Sequence, residues 1–182
     1  LLSACGSGGS SSSAPSIPLA RLDRPVTLPD NGVAPVASGK DPEQGTLKVL
    51  NYADYINPDT VAAFEDALGT KIEISTYDTE DKLLSSLRNK SLKIDLVIGA
   101  TTLGLPRYVA GKLIQPLNKD YLPNFSNVLQ TLQSPYYDVG SQYSTPYTVY
   151  TTGVAYRRDI IDDSAFGDDG WKLLWDSTYK GF

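Results

Sequence analysis

Between Leu47 and Ala110 short apolar runs alternate with helix-period segments three times over, and this alternation narrows the accessible folds more than any other feature. Leu47-Lys48-Val49-Leu50-Asn51-Tyr52 reads as a strand entering a loop. Asn57-Pro58-Asp59 then opens a helix, with Asn57 as N-cap, Pro58 at the first helical position and Asp59 at the positive dipole end. Val61, Phe64, Ala67 and Leu68 recur at helical spacing, and Gly69 is placed to end the helix. Lys71–Tyr77 alternates as a second strand should. Thr79 is a cap for a helix running through Lys90, with Leu83, Leu84 and Leu87 inward. Ile94–Ile98 is an apolar run suited to a strand covered on both faces. A loop at Gly99–Thr102 and a helix interrupted near Pro106 follow.

The order β-α-β-α-β-α predicts a parallel or mainly parallel α/β sheet. Ligands of such sheets bind at the loops beyond the carboxyl ends of the strands. Here those loops are Tyr52–Tyr55, Tyr77–Thr79 and Gly99–Thr102. No period of 20–50 residues repeats, so the chain is not a solenoid.

Downstream of Gln115 prolines become frequent and the chain reads as loop-rich. Tyr143–Tyr147 and Thr151–Tyr156 are expected strand segments, and Gly170–Trp175 an expected short amphipathic helix. The chain ends at Phe182 without a balancing second domain, and it begins with Leu rather than Met. Truncation at both ends is the expectation.

The 182 residues match one domain plus a tail, at roughly one domain per 150 residues. Residues 6–45 are dominated by Gly, Ser, Pro and Ala and hold no aromatic residue, a composition suited to an extended tether. Arg21–Pro29 is less degenerate and has the composition to lie against the domain. The folded body is expected to start near Thr46. Leu-Leu-Ser-Ala-Cys at residues 1–5, followed by the Gly/Ser tract, resembles a bacterial lipobox. Cys5 would then carry a lipid, its small neighbours fitting the signal peptidase.

A net charge of −5 disfavours a nucleic-acid partner. The absence of His removes imidazole chemistry and His-ligated metal sites. A single Cys excludes an intramolecular disulfide or a multi-Cys metal site. No apolar run approaches the ~18 residues of a membrane span. Gly167-Asp168-Asp169-Gly170 lacks the alternating oxygen ligands of a calcium loop and reads as a solvated turn. Asp162 and Asp163 are adjacent and should point apart, which argues against a catalytic pair. Asp54, between Tyr52 and Tyr55 in a strand-end loop, suits an organic cation, since rings cover methylenes and attract charge. The same three residues equally fit a surface carboxylate beside two tyrosines at the core's edge. Tyr136, Tyr137, Tyr147 and Tyr150 add aromatic surface, most readily as packing residues.

Several stretches resemble one family when taken in order and spacing: Asn51–Ile56, Ser75–Tyr77, Asp95–Val97, Leu122–Asn127, Pro146-Tyr147 with Thr151–Arg157, and Trp171, Leu174-Trp175, Tyr179–Gly181. Together they resemble the N-terminal half of bacterial spermidine/putrescine (polyamine) substrate-binding lipoproteins that feed ABC importers. The resemblance implies a type II periplasmic-binding-protein-like fold, a two-lobed α/β clamp closing by hinge motion. The first lobe would be an incomplete 46–147, and 148–182 the crossover and start of a second lobe not completed here. Tyr52 stands where members often carry a ligand-stacking Trp, and Asp54-Tyr55 follow as expected. Ala100 and Thr102 stand where members often have Ser and an aromatic residue. The acidic ligand contacts of the second lobe would lie beyond Phe182.

The expected ligand-binding residues are Tyr52, Asp54, Tyr55, Tyr77, Thr101, Thr102 and Tyr150, with Cys5 as the lipidation site and no catalytic residue, metal or cofactor. The implied protein is a monomeric extracytoplasmic lipoprotein that passes a polyamine-like cation to an importer permease. The alternatives are another small solute or a cell-envelope enzyme working with carboxylates.

Overall fold

The computed structural model describes residues 17–89, 92–167 and 170–181, and Cys5 lies outside them. The chain divides into two compact units, the first running through Tyr147 and the second spanning Thr148–Phe182.

In the first unit, β1 (Thr46–Tyr52) is the central strand of a parallel three-stranded sheet, flanked by β2 (Lys71–Tyr77) and β3 (Leu96–Val97). The expected alternation is present. α1 (Pro58–Leu68) begins where Asn57 Oδ1 accepts the Asp59 N–H at 2.8 Å, and it ends at Gly69 with φ 63°. That left-handed turn is what favours glycine there. α2 (Glu80–Arg88) begins where Thr79 Oγ1 accepts the Lys82 N–H, and it buries Leu83 and Leu84. It stops at Arg88, short of the expected Lys90, which lies outside the described residues.

The third strand is shorter than its apolar run. Only Leu96 and Val97 pair regularly with β1, although the Asp95 N–H to Lys48 O and Ile98 N–H to Leu50 O bonds extend the contact. Leu96 is 46% exposed, so this strand is not covered on both faces. On α1, Phe64 and Leu68 are likewise exposed, and no residue of that helix is buried.

α3 (Leu105–Ala110) has six residues, far fewer than the ~12–15 an isolated helix needs to persist in water. Pro106 sits in its first turn, where its missing N–H costs nothing, so it opens the helix instead of interrupting it. Packing on two sides holds this helix. Tyr108 joins Leu50, Tyr77, Leu83 and Leu84 in one core cluster, while Leu105 and Val109 join Val26, Leu28 and Tyr143 in another.

Val26 and Leu28 belong to Arg21–Pro29, the part of the 6–45 segment with the composition to lie against the domain, and both are buried on it. Described residues beyond that stretch, expected to be tether, also find partners there. The Val26 N–H donates to Tyr136 O at 2.7 Å, and its carbonyl accepts the Val139 N–H at 3.0 Å. The Tyr143 hydroxyl donates to Pro29 O at 2.9 Å, and Asn31 Nδ2 donates to Ile114 O at 2.8 Å. Further along, the Tyr121 hydroxyl donates to Ala37 O and accepts the Lys40 N–H, each at 2.8 Å. The packed body therefore begins well before Thr46. Two apolar side chains in a proline-punctuated segment suffice because that segment's backbone groups find partners on the domain.

Tyr143–Tyr147 is not a strand. Asp138, fully buried, accepts the backbone N–H groups of Gln142, Tyr143 and Ser144 and the Ser144 hydroxyl. Amides tied to a carboxylate are not available to a ladder. Thr151–Tyr156 in the second unit is also irregular, with no partner strand beside it among the described residues.

The rest of the second unit is built of 3-10 turns. In Gly170–Trp175 only Leu173 is buried, while Trp171, Leu174 and Trp175 are exposed. Among the described residues no helix is long and apolar enough to cross a membrane.

Leu28 is 1% exposed and Leu22 is 84% exposed. Leu28→Ala should therefore lower unfolding free energy by about 2–5 kcal/mol, and Leu22→Ala by less than about 0.5 kcal/mol. Urea unfolding of both variants measures this. Equal small losses would return residues 17–45 to the tether reading.

Candidate functional site

Parallel pairing places the carboxyl ends of all three strands along one edge, and the register sets Tyr52 opposite Tyr77 at its end. After Tyr52 the chain turns sharply. The Ala53 N–H donates to Tyr77 O at 3.2 Å, and the Tyr55 N–H reaches back to Tyr52 O at 3.3 Å. Asp54, at the tip, takes φ 62°, a left-handed conformation that Asp tolerates better than most residues. The turn stands the Tyr55 ring edge-on to Tyr52, with centroids 5.2 Å apart. Tyr52 meets the Tyr77 ring edge-on from the other side at 5.4 Å. Tyr147 completes the group, its hydroxyl donating to Tyr55 O at 2.6 Å.

These tyrosines are not equivalent. Tyr52, Tyr55 and Tyr147 are 37%, 46% and 52% exposed, whereas Tyr77 is 5% exposed. The Tyr77 hydroxyl donates to Ile98 O at 2.8 Å. Burial, with the nearby Glu80 charge adding to it, pushes the Tyr77 phenol up to about 12, so it stays protonated as a donor. Tyr77 thus ties the end of β2 to the end of β3 and backs the Tyr52 ring.

Where β3 ends, Gly99 takes φ 88°. A Cβ there would lie 2.9 Å from the Tyr77 hydroxyl and 3.1 Å from Tyr52 Cβ, so glycine lets the third loop close against both tyrosines. The loop then runs to half-buried Thr101 and Thr102. Thr101 Oγ1 accepts the Gly104 N–H at 3.1 Å and its carbonyl accepts the Leu105 N–H at 3.0 Å, which leads the chain into α3.

Of the residues singled out in the sequence, Tyr52, Asp54 and Tyr55 share one turn, Tyr77 supports it, and Thr101 and Thr102 lie in the adjoining strand-end loop. Tyr150 belongs to the second unit and is 76% exposed. Cys5 falls outside the described residues. Tyr147 and Gly99 were not picked out as site residues. Nothing local marks Tyr147 as a neighbour of Tyr55, 92 residues away. The signal for Gly99 was available, as a glycine directly after an apolar strand run.

The arrangement gathers exposed tyrosine rings and an exposed carboxylate on one turn, which suits a cationic group on a short apolar chain, since ring faces attract cations and cover methylenes. Among the described residues no group of three or more His, Cys, Asp or Glu side chains converges on a metal position. Asp162 and Asp163 are separately engaged, Asp162 accepting the Ser164 N–H and Asp163 pairing with Arg158 and the Tyr156 hydroxyl.

Known proteins share both sequence and fold with this chain. The family described as bacterial extracellular solute-binding protein matches residues 59–181. The putrescine-binding periplasmic protein PotF of Escherichia coli K12 is 33% identical over 140 residues, covering 76% of this chain and 37% of that protein. The spermidine/putrescine-binding periplasmic protein of the same organism is 28% identical over 145 residues, covering 76% and 39%. Among solved structures, the spermidine/putrescine ABC transporter substrate-binding protein PotD of Streptococcus pneumoniae superposes with a TM-score of 0.66 at 21% identity, over 75% of this chain and 41% of that one. The chain therefore has the mixed α/β architecture of a type II periplasmic binding protein and spans about two fifths of the length of these relatives.

The close packing at Gly99 is separable from its backbone conformation. Gly99 and Gly140 have similar angles, φ 88° and 81°, but a Cβ at Gly140 would meet nothing within 4 Å. Both alanine variants should lose about 1–2 kcal/mol to the left-handed backbone, and Gly99→Ala should lose more through the tyrosine contacts. Thermal unfolding compares them. Equal losses would show that the Tyr52–Tyr77 contact places no demand on residue 99.

Proposed function

The chain belongs to the bacterial extracellular solute-binding protein family, and from that premise we propose that it captures a polyamine such as putrescine or spermidine and delivers it unaltered to an ABC importer. The observation that carries this reading is the Tyr52–Asp54–Tyr55 turn, with Tyr147 beside it. A diamine is two ammonium groups joined by methylenes. Asp54 supplies a carboxylate for one ammonium, and the exposed tyrosine rings supply cation–π attraction and cover for the methylenes. Thr101 and Thr102 contribute polar contacts from the neighbouring loop. In this reading Tyr77 supports Tyr52 from behind, its hydroxyl being bound to Ile98 O. Tyr150 is proposed as a ligand contact of the second unit. The names of the relatives, putrescine- and spermidine/putrescine-binding periplasmic proteins, support the choice of amine.

The reading includes a monomer without catalytic activity, held outside the cytoplasm through a lipid on Cys5. Substituting Cys5 by Ser tests the anchor, with release from the membrane fraction supporting it.

Calorimetric titration of the full-length protein, second lobe included, tests the ligand. Putrescine or spermidine should bind and 1,4-butanediol, of the same chain length as putrescine but uncharged, should not. Asp54→Asn and Tyr55→Ala should each weaken the amine by about 1–3 kcal/mol, the range of a charge-assisted hydrogen bond or a buried ring contact. Unchanged affinity in both variants, with circular dichroism intact, would remove this turn from the site. Equal binding of the diol would point to a different solute.

A further inference from the structure

Glu80, the first residue of α2, has a carboxylate that joins three parts of the first unit. Oε1 accepts the Thr101 N–H at 2.9 Å, from the loop that follows β3. Oε2 accepts the hydroxyl of Tyr108 on α3. Tyr108 is 1% exposed, and burial together with this hydrogen bond raises its phenol, which holds it as a donor. Gly104 makes room for the contact, since a Cβ there would collide with Glu80 Oε2 and stand 2.6 Å from the Tyr108 hydroxyl. Asp81 and Arg107, 3.4 Å apart, form an exposed ion pair between the same two helices. Beyond these contacts Gly99 closes the loop's start against Tyr77 and Tyr52. The loop is therefore held at Gly99 and again at Thr101, with Thr102 next along the chain.

We propose that Glu80 is a positioning residue for solute binding. It fixes the backbone at Thr101, and through it the place of Thr101 and Thr102 beside the tyrosine turn, without touching solute itself. This inference rests on the reading of that face as the solute site. A purely structural brace would stabilise the fold and leave affinity alone once the protein is fully folded.

The experiment uses the full-length protein, second lobe included, with Glu80→Ala, Glu80→Gln and Tyr108→Phe, well below each unfolding midpoint. Putrescine affinity is read by calorimetry and exchange of the Thr101 amide by NMR. Glu80→Ala should speed Thr101 exchange and weaken putrescine by about fivefold or more, the loss expected for one well-made hydrogen bond. Glu80→Gln keeps an acceptor for the Thr101 N–H and can donate to the Tyr108 oxygen, so it should restore both readouts to near wild type. Tyr108→Phe should fall between them. Faster Thr101 exchange with unchanged affinity in Glu80→Ala would overturn the role of Glu80 and leave the solute site standing. A wild-type full-length protein, second lobe included, that binds neither putrescine nor spermidine would overturn the solute reading, and the role of Glu80 with it.

Discussion

The meeting of Tyr52 and Tyr77 at the end of the β1–β2 ladder is the contact on which the candidate site depends. Parallel register brings the two residues level, and an edge-on ring contact at 5.4 Å holds them. Such a pair contributes about 0.5–1.5 kcal/mol beyond the area it buries. Its larger consequence is geometric. Tyr77, bound to Ile98 O, fixes where β3 ends, and Tyr52 fixes where the Asp54 turn begins. Glycine at residue 99 lets the third strand end close onto both. Three loops far apart in sequence thus share one edge, because their strands are parallel and their ends are bound together.

The same unit is stabilised from the other side by a segment that composition marks as unstructured. α3 is too short to stand alone and is gripped between the sheet-and-α2 cluster and the Val26–Leu28 strap. Since α3 carries Tyr108, the strap supports the helix that anchors Glu80, and Glu80 holds the Thr101 loop. Stability at the N-terminal segment and geometry at the candidate site are linked through this one helix.

Much of this was legible in the sequence where the cause is local. Asn57-Pro58-Asp59, Gly69 and Thr79 marked helix ends because capping involves residues only a few positions apart. The β-α-β alternation identified the parallel sheet, and with it the loops to inspect. The failures have non-local causes. The composition of Arg21–Pro29 allowed it to lie against the domain but did not say where, because the burial of Val26 and Leu28 depends on Leu105, Val109 and Tyr143. Tyr143–Tyr147 is an expected strand segment, but Asp138 captures the amides of residues 142–144. Glu80 gave no signal because its partners lie 21 and 28 residues away. At the site, the turn from Tyr52 to Tyr55 was visible as a pattern, while Tyr147 required the folded chain.

The central claim is that the carboxyl edge of the β1–β2–β3 sheet is the face that meets solute. Titrating the nitrogen-15-labelled chain with putrescine and following every backbone amide by NMR tests it most directly. The account predicts that the largest shifts fall at residues 51–55, 77–80 and 99–103, with small changes at residues 46 and 71 at the opposite ends of β1 and β2 and along α1. Saturable shifts concentrated at those opposite ends or on α1, with the three loops unmoved, would contradict it.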